Sequence, residues 1–332
     1  MISFIVTTYN LEDWLLRRCL SSIVAQGLAR EEYEIVVVDD ESVMSPQNVV
    51  DEFVELANIT LYVQKHARQG AARNLALSHA KGEWIQFIDG DDYLFEGTIA
   101  SLLHSAYADN LDLLMFGFRE VQDESAIRNC AGNNCRLLTL NKSIGITTGN
   151  SYMIHHNLFG ACWAFLFRRQ LLDDLEFGEV LRFTEGIYIE DEEFVTKLVW
   201  RARRVLYIDV PVYAYYQRVG STVHIRNNQH TDELFHNYFV VLRRLLDFEE
   251  SLASTPHEGV IRKVRFLAMD ILRRALREPD WKNRWNESAR HLYSLGLYPL
   301  PATDYSWKYS IFRLLARCDM GRHILRTIEK RK

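Results

Sequence analysis

The sequence predicts an α/β protein: a Rossmann-like, mostly parallel sheet flanked by helices, followed by a C-terminal helical extension. Three observations predict it. In the first third of the chain, β-branched apolar runs alternate with helical periodicity. The polar clusters Thr7–Asn10, Asp39–Ser42 and Asp89–Asp92 each close such a run, and the C-terminal ends of strands are where open α/β sheets bind ligands. From about Gln229 onward the strand pattern gives way to helical periodicity.

The elements follow in order. Ile2–Thr7 is a buried strand. Asn10 caps a helix running from Leu11 to about Gln26, with Leu11, Trp14, Leu15, Cys19 and Ile23 on one stripe. Glu34–Val38 is a second strand, and a helix near Gln47–Ala57 and a strand at Thr60–Gln64 come next. Gly70–Ala80 is a short alanine-rich helix, and Trp84–Ile88 is the fourth strand. The middle is less regular: Leu113–Phe118, Ala164–Phe167, Val205–Ile208 and Val212–Tyr216 read as strands. Glu190–Arg201 reads as a helix with Phe194, Leu198 and Val199 inward. Helices are expected at Leu234–Phe248, Val260–Leu276, Ser288–Leu295 and through Trp307–Lys332.

The chain has 332 residues, 48% apolar and 25% charged, the balance of a folded protein of one large or two ordinary domains. A net charge of −5 gives no reason to expect a nucleic-acid partner. Five scattered cysteines, Cys19, Cys130, Cys135, Cys162 and Cys318, argue against a disulfide framework and for a reducing compartment. No apolar run reaches the eighteen or so residues that span a bilayer, and the N-terminus lacks a basic leader. A cytoplasmic location is expected.

The chemistry starts at WIQFIDGDDY, Trp84–Tyr93, where an apolar strand ends on Asp89, Asp91 and Asp92. Clustered carboxylates raise one another's pKa unless a cation joins them. Oxygen ligands of this kind suit Mg²⁺ or Mn²⁺, which keep room for substrate phosphates. An acidic turn with no metal is the plainer reading.

Four segments then carry a resemblance: IVTTYN (Ile5–Asn10), VDDES (Val38–Ser42), GAARNL (Gly70–Leu75) and FIDGDD (Phe87–Asp92). Each is weak alone, but in this order and spacing they resemble the inverting family 2 glycosyltransferases, which have the GT-A fold. The resemblance implies a GT-A domain over 1–225, with a nucleotide-binding half to 110 and an acceptor half from 111. A helical region over 226–332 follows. It implies transfer of a hexose or hexosamine from a nucleotide-sugar donor, most simply a UDP-sugar, to a glycan or lipid-linked acceptor. The setting would be polysaccharide assembly in a bacterial cell envelope.

By the same resemblance, Asp89-x-Asp91 is the DxD motif, with Asp91 the direct metal ligand and Asp89 on the ribose or a metal-bound water. Asp92 either supports the metal or caps the helix beginning near Glu96. Thr7 and Tyr9 hold the nucleotide base, and Asp39 or Asp40 accepts the N3 proton of uracil. Arg73 reaches the base or clamps an aspartate; an ordinary salt bridge is its alternative. Glu190-Asp191 resembles the family's ED motif, with Asp191 as the base for the acceptor hydroxyl and Glu190 in support; acids also simply favour a helix N-terminus. Trp163 walls the acceptor pocket or is a core Trp. In YYQRVGSTVH (Tyr215–His224), Arg218 and Ser221 bond the diphosphate. His224 completes the metal shell, although a lone His is more often no ligand. Two departures stand out: Glu41 replaces the usual Gly, and Arg68 lies where a small residue or Gly is common.

Residues 307–332 carry eight Lys/Arg against Asp319 and Glu329, a net of +6, with interleaved apolar side chains. Such a segment either lies on an anionic membrane, here the inner face of the cytoplasmic membrane, or packs on the protein with a solvated basic face. Two rivals to the transferase reading remain. One is a phosphohydrolase of the haloacid dehalogenase type using Asp-x-Asp; the other is a non-catalytic nucleotide-sugar-binding protein. The sequence does not give the oligomeric state.

Overall fold

The computed structural model describes residues 1–122, 145–173, 180–217, 228–252, 254–303 and 305–330. They fall into two compact units, Met1–Gly149 with Phe159–Arg226, and Asn150–Leu158 with Asn227–Lys332. The first unit carries the sheet. Its elements are β1 (Ile2–Thr8), α1 (Asp13–Val24), β2 (Tyr33–Asp39), α2 (Gln47–Asp51), β3 (Ile59–Val63), α3 (Arg68–His79), β4 (Trp84–Asp89), β5 (Tyr93–Leu94), α4 (Thr98–Ala108) and β6 (Leu113–Val121). After α5 (Gly149–His155), which opens the second unit, come β7 (Phe165–Arg168), α6 (Glu190–Arg201) and β8 (Val205–Tyr216).

The strand order is β3-β2-β1-β4-β7-β6-β8-β5. The β3-β2-β1-β4 wing is parallel throughout, as βαβ crossovers require, and every residue of β1 is buried. The other wing is mixed: β7 runs antiparallel to β4 and β6, β5 antiparallel to β8, and β6 parallel to β8. The two stretches Val205–Ile208 and Val212–Tyr216 are one strand. Its register against β6 shifts around Gly117, which pairs with Pro211. A proline has no N–H for the ladder, so it sits at the irregularity.

Three local readings are corrected. Asn10 does not cap α1; the N-cap is Glu12, and the Asn10 side chain accepts from the Val43 N–H at 2.8 Å, bracing the turn after β2. Leu16 and Leu20 join the buried stripe of α1, whereas Trp14 is exposed. The tail is two helices, because the chain turns between them at Cys318, whose Sγ accepts from the Gly321 N–H. A Cβ at Gly321 would lie 2.1 Å from the Leu315 carbonyl oxygen, so only glycine permits this close turn.

The second unit is helical: α5, α7 (Asn228–Ser251), α8 (Glu258–Arg277), α9 (Trp281–Ser294), α10 (Trp307–Leu315) and α11 (Asp319–Glu329). Among the described residues no helix is long and apolar enough to cross a membrane.

Candidate active site

The ends of β1 and β4 are brought together by a glycine. The Gly90 N–H donates to the Thr7 carbonyl at 3.0 Å, and a Cβ there would lie 2.9 Å from that oxygen. The turn therefore folds flat over β1, and its three aspartates part company. Asp92 is buried: its Oδ2 accepts from the Tyr213 hydroxyl and its Oδ1 from the Tyr216 N–H, both at 2.7 Å. Tyr213 Oη in turn accepts from the Asp89 N–H at 3.1 Å. Asp92 thus pins the turn to β8 and caps no helix; α4 is capped at Gly97. Burial first, then Asp89 and Asp91, push the Asp92 carboxyl well above the usual carboxylate range. Asp91 is partly buried, and its carbonyl accepts from Arg18 Nη2 at 2.7 Å. The Arg18 guanidinium lies 4.3 to 5.2 Å from the rings of Tyr216, Tyr93 and Trp14, a cation held in an aromatic box below the acidic turn.

The other strand-end residues form a shallow wall. Thr7 is buried, with Oγ1 3.4 Å from Gln69 Nε2. Tyr9 is exposed and stacks on His66 at 4.6 Å, so one face of its ring is already covered. Asp39 accepts from the Ser42 hydroxyl and N–H. Asp40 is heavily bonded: the N–H groups of Ala67 and Arg68 and Gln64 Nε2 reach its carboxylate at 2.7 to 2.9 Å, and His66 Nδ1 lies 2.8 Å from it. It anchors the start of α3, which leaves Asp39 as the lighter-loaded of the two. The two departures from the family pattern have one cause. Glu41 and Arg68 both adopt positive φ, 64° and 71°, where glycine costs less. Each recovers something: Glu41 accepts from the His66 N–H at 3.0 Å, and Arg68 Nη1 donates to the Gly186 carbonyl at 3.0 Å with its guanidinium 4.2 Å from the Tyr188 ring. A cavity of about 460 Å³ opens between His66–Arg68 and Glu185–Gly186.

Helix α3 joins this wall to the ED segment. A Cβ at Gly70 would lie 2.9 Å from the Thr184 carbonyl and 3.0 Å from Glu190 Cγ, so the small residues of GAAR let the helix lie against the loop before α6. Asn74 clamps that loop at the Phe183 N–H, the Phe183 carbonyl and the Glu185 carboxylate, each at 2.9 Å. Arg73 then reaches both motifs at once. Its Nη1 donates to Glu190 Oε1 at 2.7 Å and its Nη2 to Asp89 Oδ1 at 3.0 Å, with the arginine and Glu190 buried. Burial works against the Arg73 charge, but the acidic groups around it hold its pKa above the ordinary value. Burial raises Asp89 and Glu190, against the pull of Arg73. Asp191 is pushed well above the usual range, by burial first and then by Glu190 and Glu192. Ile189, the residue before α6, is held at φ 59°, a costly conformation for a β-branched side chain and a sign that the helix start is over-determined.

Trp163 does not present a face to solvent. It is 6% exposed, stacked on Tyr213 at 4.3 Å and on Tyr215 at 5.8 Å, and backs the wall from inside. The exposed aromatic surface beside it is Phe118 and Phe159, stacked at 5.2 Å. Phe159 precedes Gly160, where a Cβ would meet the Glu192 carboxylate at 2.3 Å, so this surface borders the first turn of α6. Arg218, Ser221 and His224 lie outside the described residues, as do Cys130 and Cys135. Sequence reasoning missed Gln69, Asn74, Tyr213 and Arg18. Asn74 stands inside a motif segment; the others had no local signal.

Among the described residues no three His, Cys, Asp or Glu stand together as a metal-holding group. A Mg²⁺ or Mn²⁺ ion held by one or two carboxylates and substrate phosphates needs no such cage. Both bonds to the Asp89 carboxylate, from Arg73 and from Gln69 Nε2 at 2.5 Å, fall on Oδ1. Asp91 with Asp89 Oδ2 fits that mode, and Asp92 does not.

The parallel wing with its acidic strand ends is clasped to the acidic start of α6 by Arg73. Residues 3–176, just over half of the chain, match the family described as glycosyl transferase family 2, and the chain belongs to it. Glycosyltransferase GlyA of Streptococcus pneumoniae serotype 4 is 28% identical over 224 residues, 66% of this chain and 31% of that protein. The putative glycosyltransferase EpsH of Bacillus subtilis is 27% identical over 231 residues, 67% and 62% of the two chains. The chain thus spans about a third of GlyA and under two thirds of EpsH. Among solved structures, S. aureus TarS 1–349 in complex with UDP has a TM-score of 0.67 at 19% identity, over 99% of this chain and 90% of that one. The same TarS segment in complex with UDP-GlcNAc has a TM-score of 0.60. At this identity the likeness is one of fold. Family membership sets aside the dehalogenase-type phosphohydrolase.

Proposed function

We propose that this chain transfers a hexose or hexosamine from a UDP-sugar to a hydroxyl of a glycan or lipid-linked acceptor in cell-envelope polysaccharide assembly, with inversion at the anomeric carbon. The observation that carries this reading is Arg73, one buried side chain that holds Asp89 of the DxD turn and Glu190 beside Asp191 in a single cluster. A donor site and a base that belong to one reaction must be fixed relative to each other, and Arg73 does that. The UDP-bound state of the structurally similar TarS supports the choice of nucleotide.

In this reading Tyr9 stacks on the base with its uncovered face, and Asp39 accepts from the uracil once the Ser42 hydroxyl yields. Thr7 lines the same wall, and Arg218 and Ser221 bond the diphosphate. Asp91 and Asp89, with His224, would hold Mn²⁺ or Mg²⁺, which neutralises charge on the departing diphosphate. Asp191 accepts the acceptor's proton, and its raised pKa makes it a stronger base than an ordinary carboxylate. Glu190, fixed by Arg73, holds the start of α6 in place. The acceptor lies against the exposed pair Phe118 and Phe159, whose faces suit a sugar ring, with Trp163 supporting the wall behind.

The test uses the purified chain with Mn²⁺ and a panel of nucleotide sugars. One UDP-sugar should raise the melting temperature, since a ligand bound to the native state stabilises it by mass action, and be slowly hydrolysed. EDTA should remove both effects. A panel in which no nucleotide sugar shifts the midpoint overturns the proposal.

A further inference from the structure

We infer that the C-terminal helix pair α10–α11 is a docking face for an anionic lipid surface. The inference stands on the helical unit alone and does not depend on the transferase reading.

Helix α10 is apolar on two opposite sides. Tyr309, Phe312 and Ala316 are buried against the unit. Trp307, Ile311 and Leu314, at i, i+4 and i+7, form a second stripe that faces water, with Trp307 70% exposed. Helix α11 is packed with its charged edge inward. Glu329 is buried and accepts from Arg273 Nε at 2.9 Å and Arg277 Nη2 at 2.6 Å, while Arg322 and Arg326 lie over the rings of Trp285 and Trp281. Its apolar edge, Met320, Ile324 and Ile328 at i, i+4 and i+8, is left outside, with Met320 74% exposed. Two successive helices that each expose an unbroken apolar stripe are unusual on a surface where single exposed apolar residues are the norm.

Charge selects the occupant. Lys308, Arg317 and Lys330 are exposed among these stripes against Asp319, while Arg322 and Arg326 face the unit. The Lys308 ammonium sits 5.7 Å from the Trp307 ring, an aromatic and a cation side by side as at a membrane interface. A second copy of the chain would bring two such basic segments together and be repelled. A soluble polyanion would use the basic groups and leave the apolar stripes in water. A bilayer surface rich in anionic lipid takes both: the stripes enter the acyl boundary and the cations meet the headgroups.

The experiment is vesicle flotation of the full chain. It should float with vesicles of about one third phosphatidylglycerol in phosphatidylcholine, and hardly at all with phosphatidylcholine alone. Raising NaCl to about 0.5 M should weaken the binding. The variant Trp307→Ser/Ile311→Ser/Leu314→Ser should partition at least about tenfold less, and Lys308→Ala/Arg317→Ala about twenty-five-fold less, since each basic residue near an anionic surface contributes about fivefold. Both should keep the parent's melting temperature and nucleotide-sugar hydrolysis, because the altered side chains face outward. Equal binding to neutral and anionic vesicles, or no binding, overturns the inference. So does a triple variant that changes the oligomeric state by light scattering while floating like the parent, the result expected if a second copy covers the face.

Discussion

Each unit of this chain contains an arginine–carboxylate cluster, and the two are built on different ratios. In the helical unit Arg273 and Arg277 share Glu329, and Arg273 also holds Asp270. Burial pushes the Glu329 pKa up, but the two guanidiniums outweigh that and hold it below the usual range. In the sheet unit one guanidinium, Arg73, serves both Asp89 and Glu190, with Asp191 alongside, and the carboxylates stay raised. A cluster whose cations match its carboxylates is a tie, here between α11 and α8. A cluster short of cations costs stability and leaves groups eager for a proton or a metal. Reactive sites are commonly made that way.

The largest effect that sharpens this contrast is Asp191→Asn. Transfer should fall by roughly 10²–10⁴ while nucleotide binding is nearly unchanged, read from turnover and from the donor-induced shift in melting temperature. The same variant should melt higher than the parent by about 1–3 °C. The sign follows from its raised pKa. The stabilising proton on Asp191 is fully present below the unfolded-state value and is lost as pH rises through the higher folded value. The gain of the variant therefore grows with pH and vanishes in acid. Full turnover by Asp191→Asn would remove Asp191 from the mechanism.

Next is Arg73→Met, which takes the shared cation from the buried Glu190 and the half-buried Asp89. It should cost about 3–5 kcal/mol in denaturant unfolding, with the loss easing at low pH as the carboxyls take up protons. A loss under about 1 kcal/mol at neutral pH would show that Arg73 is not what holds the two motifs together.

Smallest is Glu329→Gln. Arg273 and Arg277 are partly exposed and rehydrate, so the cost should be about 1 kcal/mol, or a drop of about 2–4 °C, with turnover unaffected. Here the pH dependence reverses. A depressed carboxylate stabilises above its unfolded pKa and loses that contribution as pH falls through its folded value, so parent and variant should converge in acid. Convergence at high pH instead would mean that the two clusters are not opposites.

The parallel wing was legible because a strand buried on both faces reads as an apolar run; β2 and β4 end where their runs meet aspartates, and β1 where its run meets Thr7–Asn10. Glu190–Arg201 was legible to the residue from its acidic start and apolar stripe. Partner choice was not. Asp39 and Asp40 read alike as base-binding carboxylates, and Asp40 holds the start of α3; Trp163 read as an acceptor wall or a core Trp, and it lies under Tyr213 and Tyr215. Both residue types suit either role, and only what stands 3 to 5 Å away decides between them.

By itself the sequence determined the α/β class, the places where chemistry-bearing residues leave the sheet, and the family, because periodicity and strand-end polarity are local properties of a chain. The tertiary structure alone decided that Arg73 spans from Asp89 to Glu190 across 16 and 117 residues of sequence, that Asp92 locks a turn, and that α10 and α11 leave apolar stripes in water. Those are pairings between distant segments. Their energies depend on distance and on exclusion of water, and neither is written in the order of residues.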